Sequence, residues 1–120
     1  MALGNKNKGV KKSDFQKEDF FQKVFKIVAE IPYGKVTTYG DIAMAIGLKS
    51  SARMVGWALN ATIGDDSLPC HRVINRNGEL TGKRHFRTPT LMRELLENEG
   101  IEFIGDEVNL KKHLWKPSLD

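Results

Sequence analysis

The sequence predicts a mainly α-helical fold with a small β element and a helix-turn-helix within it. Phe20, Phe21, Val24, Phe25, Ile27, Val28 and Ile31 recur at spacings of three and four, the period of a buried helical face. Two short helical stretches, one from Thr38 to Ile46 and one from Ala52 to Asn60, flank a turn at Gly47, the pattern of a helix-turn-helix. Val73-Ile74 running into Asn77-Gly78 reads as a short strand and a tight turn.

Taken in order, residues 1–16 are polar, rich in lysine and glycine and without a period, so they read as a flexible basic tail. A sharper alternative is a basic arm lying along phosphates. Residues 17–120 carry no linker and form one domain. The first helix is expected to begin at Asp14 to Lys17 and to stop at Pro32, with Tyr33-Gly34-Lys35 as the turn. Its aromatic stripe is core. Thr38 is placed to cap the next helix, with Asp41 as a capping-box acid, and Gly47 ends it. Ser50, Ser51 and Ala52 open the following helix with small side chains that permit close approach to a groove. Arg53 follows, and no acid stands between Lys49 and Asn60.

Residues 60–67 have the composition of a loop. Thr81-Gly82-Lys83-Arg84-His85-Phe86-Arg87 is a basic loop with one aromatic, suited to phosphates through Lys83 and Arg84 and to a base pocket through Phe86. Thr88-Pro89 is a cap-and-first-position pair for a last main helix, whose apolar face is Leu91, Met92, Leu95 and Leu96 and which ends at Gly100. Ile101 to Ile104 is expected as a short strand.

Composition narrows the function classes. The net charge of +4 fits a polyanionic partner. A single cysteine excludes an internal disulfide framework and fits a reducing compartment, so a cytoplasmic location is expected. No apolar run approaches the roughly 20 residues of a membrane span, and the first residues lack the apolar core of a signal peptide. One cysteine and scattered histidines do not make a zinc ligand set, and no metal or cofactor is expected.

The chemistry concentrates at Pro69-Cys70-His71-Arg72-Val73. Thiolate is the reactive form of cysteine, and a neighbouring base or cation favours it. In an extended segment Cys70 and His71 would point to opposite sides, so a bridging water would join them more easily than direct contact.

This run resembles the active-site signature of the O6-alkylguanine-DNA alkyltransferases. Pro32 to Ala43 (PYGKVTTYGDIA) is similar to that family's approach to its helix-turn-helix, Ala52-Arg53-Met54-Val55-Gly56 to its recognition helix, and Asn98-Glu99-Gly100 to its closing glutamate segment. Order and spacing agree over about residues 20–104. The resemblance implies a winged helix-turn-helix DNA-binding domain that enters the minor groove and flips its target nucleotide. It makes Arg53 the residue that fills the gap and Tyr39 the one that rotates the 3′ phosphate. Ser51 and Ala52 join them on the DNA. Cys70 would take the alkyl group, linked by water to His71, which Glu99 orients and charges. Tyr39, Arg72, Val73 and Phe86 are the expected pocket residues, Arg72 chiefly as a holder of the fold through buried hydrogen bonds.

The chain also departs from full transferases. Thr62 stands where they have a hinge asparagine, and Asn60 is near but out of register. The 81–87 loop is basic instead of rich in serine and glycine. His113-Leu114-Trp115-Lys116-Pro117 resembles the tail of the alkyltransferase-like proteins, short relatives that bind the lesion, usually lack the cysteine, and hand over to nucleotide excision repair. The favoured expectation is a monomeric, single-turnover transferase acting on double-stranded DNA containing O6-alkylguanine. The alternative is a lesion sensor that signals to nucleotide excision repair proteins. A general minor-groove binder would need none of Cys70, His71 and Glu99.

Overall fold

The computed structural model describes residues 12–47, 52–62 and 67–118, with side chains described from residue 19. Helix α1 spans Lys12–Glu30 and so starts earlier than Asp14 to Lys17. Its periodic residues Phe20, Val24, Ile27, Val28 and Ile31 are buried, and Phe21 and Phe25 pack partly buried beside them. Pro32 ends this segment because it supplies no N–H to the helical ladder.

Strand β1 (Thr37–Thr38) leads directly into α2 (Tyr39–Ile46). Thr38 caps α2 as expected, its hydroxyl accepting from the Asp41 N–H at 3.0 Å. Gly47 closes the helix in a left-handed conformation, φ 103°, with its N–H on the carbonyls of Ala43 and Met44. Helix α3 spans Ala52–Asn60. Ile42 and Ala43 of α2 and Val55 and Ala58 of α3 bury against the α1 stripe, so the helix-turn-helix and α1 share one core. Residues 48–51, with Lys49, Ser50 and Ser51, lie outside the described residues, as do Asp65 and Asp66.

The segment expected to be extended at Cys70 is instead a 3₁₀ turn, Cys70–Arg72. It feeds β2 (Val73–Ile74), which pairs in parallel with β1 through Thr37–Val73 and Thr38–Ile74. The following turn is held by Asn75, whose side-chain oxygen accepts from the N–H groups of Asn77 and Glu79. Gly78 sits at φ 85°, and a Cβ there would meet the Val108 carbonyl oxygen at 2.8 Å. Only glycine satisfies both conditions. The close approach allows the Val108 N–H to bond the Gly78 carbonyl at 2.8 Å.

Residues 81–85, expected as loop, form a second 3₁₀ helix, Thr81–His85. Helix α4 spans Leu91–Asn98, with Thr90 at its N-cap, so Thr88-Pro89 precede the helix and do not open it. Thr90 donates to the Glu94 carboxylate at 2.7 Å, which anchors the later start. Strands β3 (Phe103–Ile104) and β4 (Glu107–Val108) form an antiparallel hairpin, and α5 is Leu110–His113. Met92, Leu96, Ile101 and Val108 make a second core with Val36 and Ile74.

The C-terminal segment is stapled to the strand region. Val36 donates to the His113 carbonyl at 3.0 Å and accepts from Trp115 at 2.7 Å. His113 is buried and accepts the Glu102 N–H at 2.9 Å, while Lys116 reaches Asp41 at 3.2 Å. Among the described residues no helix is long and apolar enough to cross a membrane.

Candidate functional site

The 3₁₀ turn follows from Leu68-Pro69. The Cys70 N–H closes on the Leu68 carbonyl at 2.8 Å and the Arg72 N–H on the Pro69 carbonyl at 3.0 Å. With three residues per turn, successive side chains diverge by about a third of a circle. Cys70 therefore faces a cavity, while His71 and Arg72 both reach Glu99, just past the end of α4.

Glu99 is the hub of the site. Its carboxylate takes His71 Nε2 at 2.7 Å, Arg72 Nε at 3.0 Å on each oxygen, Arg72 Nη2 at 2.8 Å and the Gly34 N–H at 2.8 Å. Its side chain is only 7% exposed. Arg72 spends its remaining guanidinium nitrogen on the Ile31 carbonyl at 2.8 Å, just beyond the end of α1. The turn at Tyr33-Gly34 is thereby fastened to the end of α4, an attachment that Tyr33 reinforces by donating to the Asn98 carbonyl at 3.0 Å.

Burial pushes the Glu99 carboxyl pKa up, but the hydrogen bonds from Arg72, Gly34 and His71 outweigh it and hold the group below its ordinary value. An ionised carboxylate only accepts, so His71 Nε2 donates to it, and Nδ1 is the ring nitrogen left for another partner. A depressed carboxyl pKa contributes stability that is complete above the unfolded value, about 4.3, and disappears as pH falls through the lower folded value. The urea midpoints of the parent and Glu99→Gln should differ most at pH 5 and above, where the carboxyl is ionised in both the folded and the unfolded chain. They should converge as the pH falls toward 3. A gap that stays constant in acid would contradict the ionised hub.

Cys70 is half-buried and lines a cavity of about 220 Å³. That is far above the roughly 10–15 Å³ that hold one water, so the space takes a ring system. Arg53, Gly56, Trp57 and Asn60 form one wall. Their spacing is that of a single helical face, so α3 turns this face to the cavity. Thr81, Gly82, His85 and Phe86 form the facing wall. Tyr39 completes it from the start of α2. Burial raises the Tyr39 phenol pKa, against a hydrogen bond with Thr81, so the group is neutral and can donate. Gly82 lets the second 3₁₀ helix close over that hydroxyl, since a Cβ there would lie 3.1 Å from it.

Of the residues expected at the site, Tyr39, Arg53, Cys70 and Phe86 meet at this cavity, and His71 and Glu99 pair beside it. Arg72 and Val73 are not among the residues that line it. The Arg72 fork is taken up by Glu99 and Ile31, and Val73 is fully buried in the first core. Lys83 and Arg84 lie exposed on the second 3₁₀ helix, outside the cavity wall. Ala52 is half-buried at the start of α3, and Ser51 lies outside the described residues. Trp57, Asn60, His85 and Thr62 were not assigned to the site. Trp57 and Asn60 could have been found four and seven positions beyond Arg53. Thr62 Oγ1 lies 3.3 Å from Cys70 Sγ.

Residues 19–101 match the family model described as 6-O-methylguanine DNA methyltransferase, DNA binding domain. Alkyltransferase-like protein 1 of Schizosaccharomyces pombe is 39% identical over 105 residues, which cover 83% of this chain and 97% of that protein. The methylated-DNA–protein-cysteine methyltransferase of Methanosarcina acetivorans is 47% identical over 64 residues, which cover 53% of this chain but 41% of that protein. The crystal structure of S. pombe Atl1 in complex with damaged DNA containing O6-carboxymethylguanine superposes with a TM-score of 0.71 at 40% identity, covering 83% of this chain and 97% of Atl1. A mainly helical fold with small sheets is common to both. The family holds proteins named as methyltransferases and proteins named as alkyltransferase-like. On the extent of the family match and the identity across nearly the whole of a short relative, this chain belongs to the 6-O-methylguanine DNA methyltransferase family.

Proposed function

We propose that this protein flips O6-alkylguanine out of duplex DNA and transfers the alkyl group to Cys70 in a single turnover. The observation that carries this reading is a thiol on the cavity wall next to a histidine–glutamate pair, since binding alone requires neither. The thiol proton passes, through a bridging water, to His71 Nδ1, and Glu99 stabilises the imidazolium. The thiolate attacks the alkyl carbon, an S–C bond forms and the C–O6 bond breaks. The guanine leaves with the electron pair and takes up a proton from Tyr39, a neutral donor at the cavity, and the proton held by the His71 imidazolium returns through water to the tyrosinate. The net change is thiol plus alkylguanine to thioether plus guanine, so each molecule reacts once.

Arg53, exposed on the cavity face of α3, fills the space left by the flipped nucleotide. Extrusion costs roughly a few kcal/mol, and a wedge offsets part of it. Arg53→Ala should lower affinity for a lesion duplex by roughly tenfold or more, with a smaller loss on undamaged DNA, because the wedge acts only when a base is out. Fluorescence anisotropy on the two duplexes reads this, and equal losses would remove the flipping role.

Coverage of the relatives favours a second reading. The chain spans 97% of the alkyltransferase-like protein and 41% of the methyltransferase. On that reading Cys70 only lines a lesion-binding pocket, and nucleotide excision repair proteins are the partners. The readings separate on the DNA itself. A transferase restores one equivalent of guanine per protein in an O6-methylguanine duplex, and a sensor leaves the lesion intact.

A further inference from the structure

We propose that Trp57 is a specificity-determining residue: its indole stacks on the flipped base and so favours DNA with an extrahelical nucleotide over intact duplex. The inference rests on the base flipping proposed above and is independent of alkyl transfer. Trp57 lines the cavity and is 51% exposed. It packs in neither core, whereas Met54, Val55, Ala58 and Leu59 of the same helix all serve the first core.

Folding gains little from an indole left half in water, whereas a flat ring beside a cavity offers a face for stacking. The helix places that face. Trp57 follows Arg53 by four residues, so the two share one side of α3 and stand about 6 Å apart along its axis. With Arg53 in the vacated stack, Trp57 lies one turn on, at the entry to the cavity. Phe86 stands on the facing wall. A base entering between the two walls has Trp57 on one side and Phe86 on the other, and stacking between such side chains is a way in which extruded bases are held.

This contact differs from general affinity for DNA. Within a duplex both faces of a base are covered by its neighbours in the stack. A face is open to the indole only once the base has left. Trp57 therefore adds affinity for the extrahelical state and little for intact duplex, while phosphate contacts serve both alike.

The test uses the full chain with Cys70→Ala, which leaves the lesion chemically unchanged. Fluorescence anisotropy reads binding to an O6-methylguanine duplex and to its undamaged counterpart, with circular dichroism to establish folding. Adding Trp57→Ala should weaken lesion binding by roughly tenfold with little change on the undamaged duplex, and Trp57→Phe should keep most of the affinity because it keeps a ring face. Equal losses on the two duplexes would place the indole in the groove and overturn the proposal. So would an alanine variant that binds the lesion as before, or a phenylalanine variant no better than alanine. If alanine does not fold at this position, tryptophan emission decides. The chain has two tryptophans, and Trp115 packs against the first core. With Trp115→Phe the emission is that of Trp57, and stacking should quench it on the lesion duplex far more than on the undamaged one. Emission that responds alike to both overturns the proposal. A lesion preference that survives Trp57→Ala removes only the role of Trp57. A chain that binds both duplexes equally before Trp57 is changed removes the flipping reading, and the stacking role with it.

Discussion

Replacing Arg72 with methionine should lower stability by roughly 3–5 kcal/mol, the cost of breaking a largely buried ion pair from one side. Methionine keeps an apolar stem of similar reach but no donors. The change leaves Glu99, 7% exposed, without its bidentate partner, and removes the donor on the Ile31 carbonyl. His71 and Gly34 remain on the carboxylate, which keeps the loss at the lower end of that range. Urea unfolding at pH 7 without DNA measures it. A loss below about 1 kcal/mol, the value of an exposed pair, would show that the Glu99 hub does not hold the fold.

This double duty of Arg72 marks the limit of what was legible in the sequence. Side chains set by a local period were readable. The α1 stripe obeys the spacing that burial on one helical face imposes, and Thr38 and Gly47 bound α2 through cap chemistry that acts within three or four residues. The 3₁₀ turn at Cys70–Arg72 has no such signal, because three residues carry no period and an apolar pair next to them looks like the continuation of a strand. The β1–β2 pairing joins Thr37 to Val73, and nothing local announces a partner that far along the chain. In an extended segment Arg72 would share a face with Cys70, whereas the turn sends it to Glu99. His71 and Glu99 were paired through the family resemblance, since the contact that joins them comes from folding.

Glu99→Gln should slow alkyl transfer by roughly a hundredfold, the lower range for loss of general-base assistance. Glutamine has nearly the same shape but no charge to support the His71 imidazolium, so less thiolate forms at neutral pH. Glu99 lies behind the cavity and not on its wall, so lesion affinity should stay within about threefold, below the ~1.4 kcal/mol of a tenfold change. Single-turnover recovery of guanine from an O6-methylguanine duplex gives the rate, and anisotropy gives the affinity. A variant that transfers as fast as the parent would remove the pair from the mechanism. One that loses rate and affinity together would assign Glu99 to building the pocket.

On the proposed mechanism Cys70 becomes the alkyl acceptor. Intact-mass and peptide-mass spectrometry after incubation with an O6-methylguanine duplex tests it most directly. The peptide containing Cys70 should gain about 14 Da, one methylene unit, as expected for a stable thioether formed by covalent catalysis at sulfur. The gain should stop at one equivalent and be absent from Cys70→Ala. A parent protein that holds the lesion duplex for hours and gains no mass would rule out transfer and leave Cys70 as part of a binding pocket.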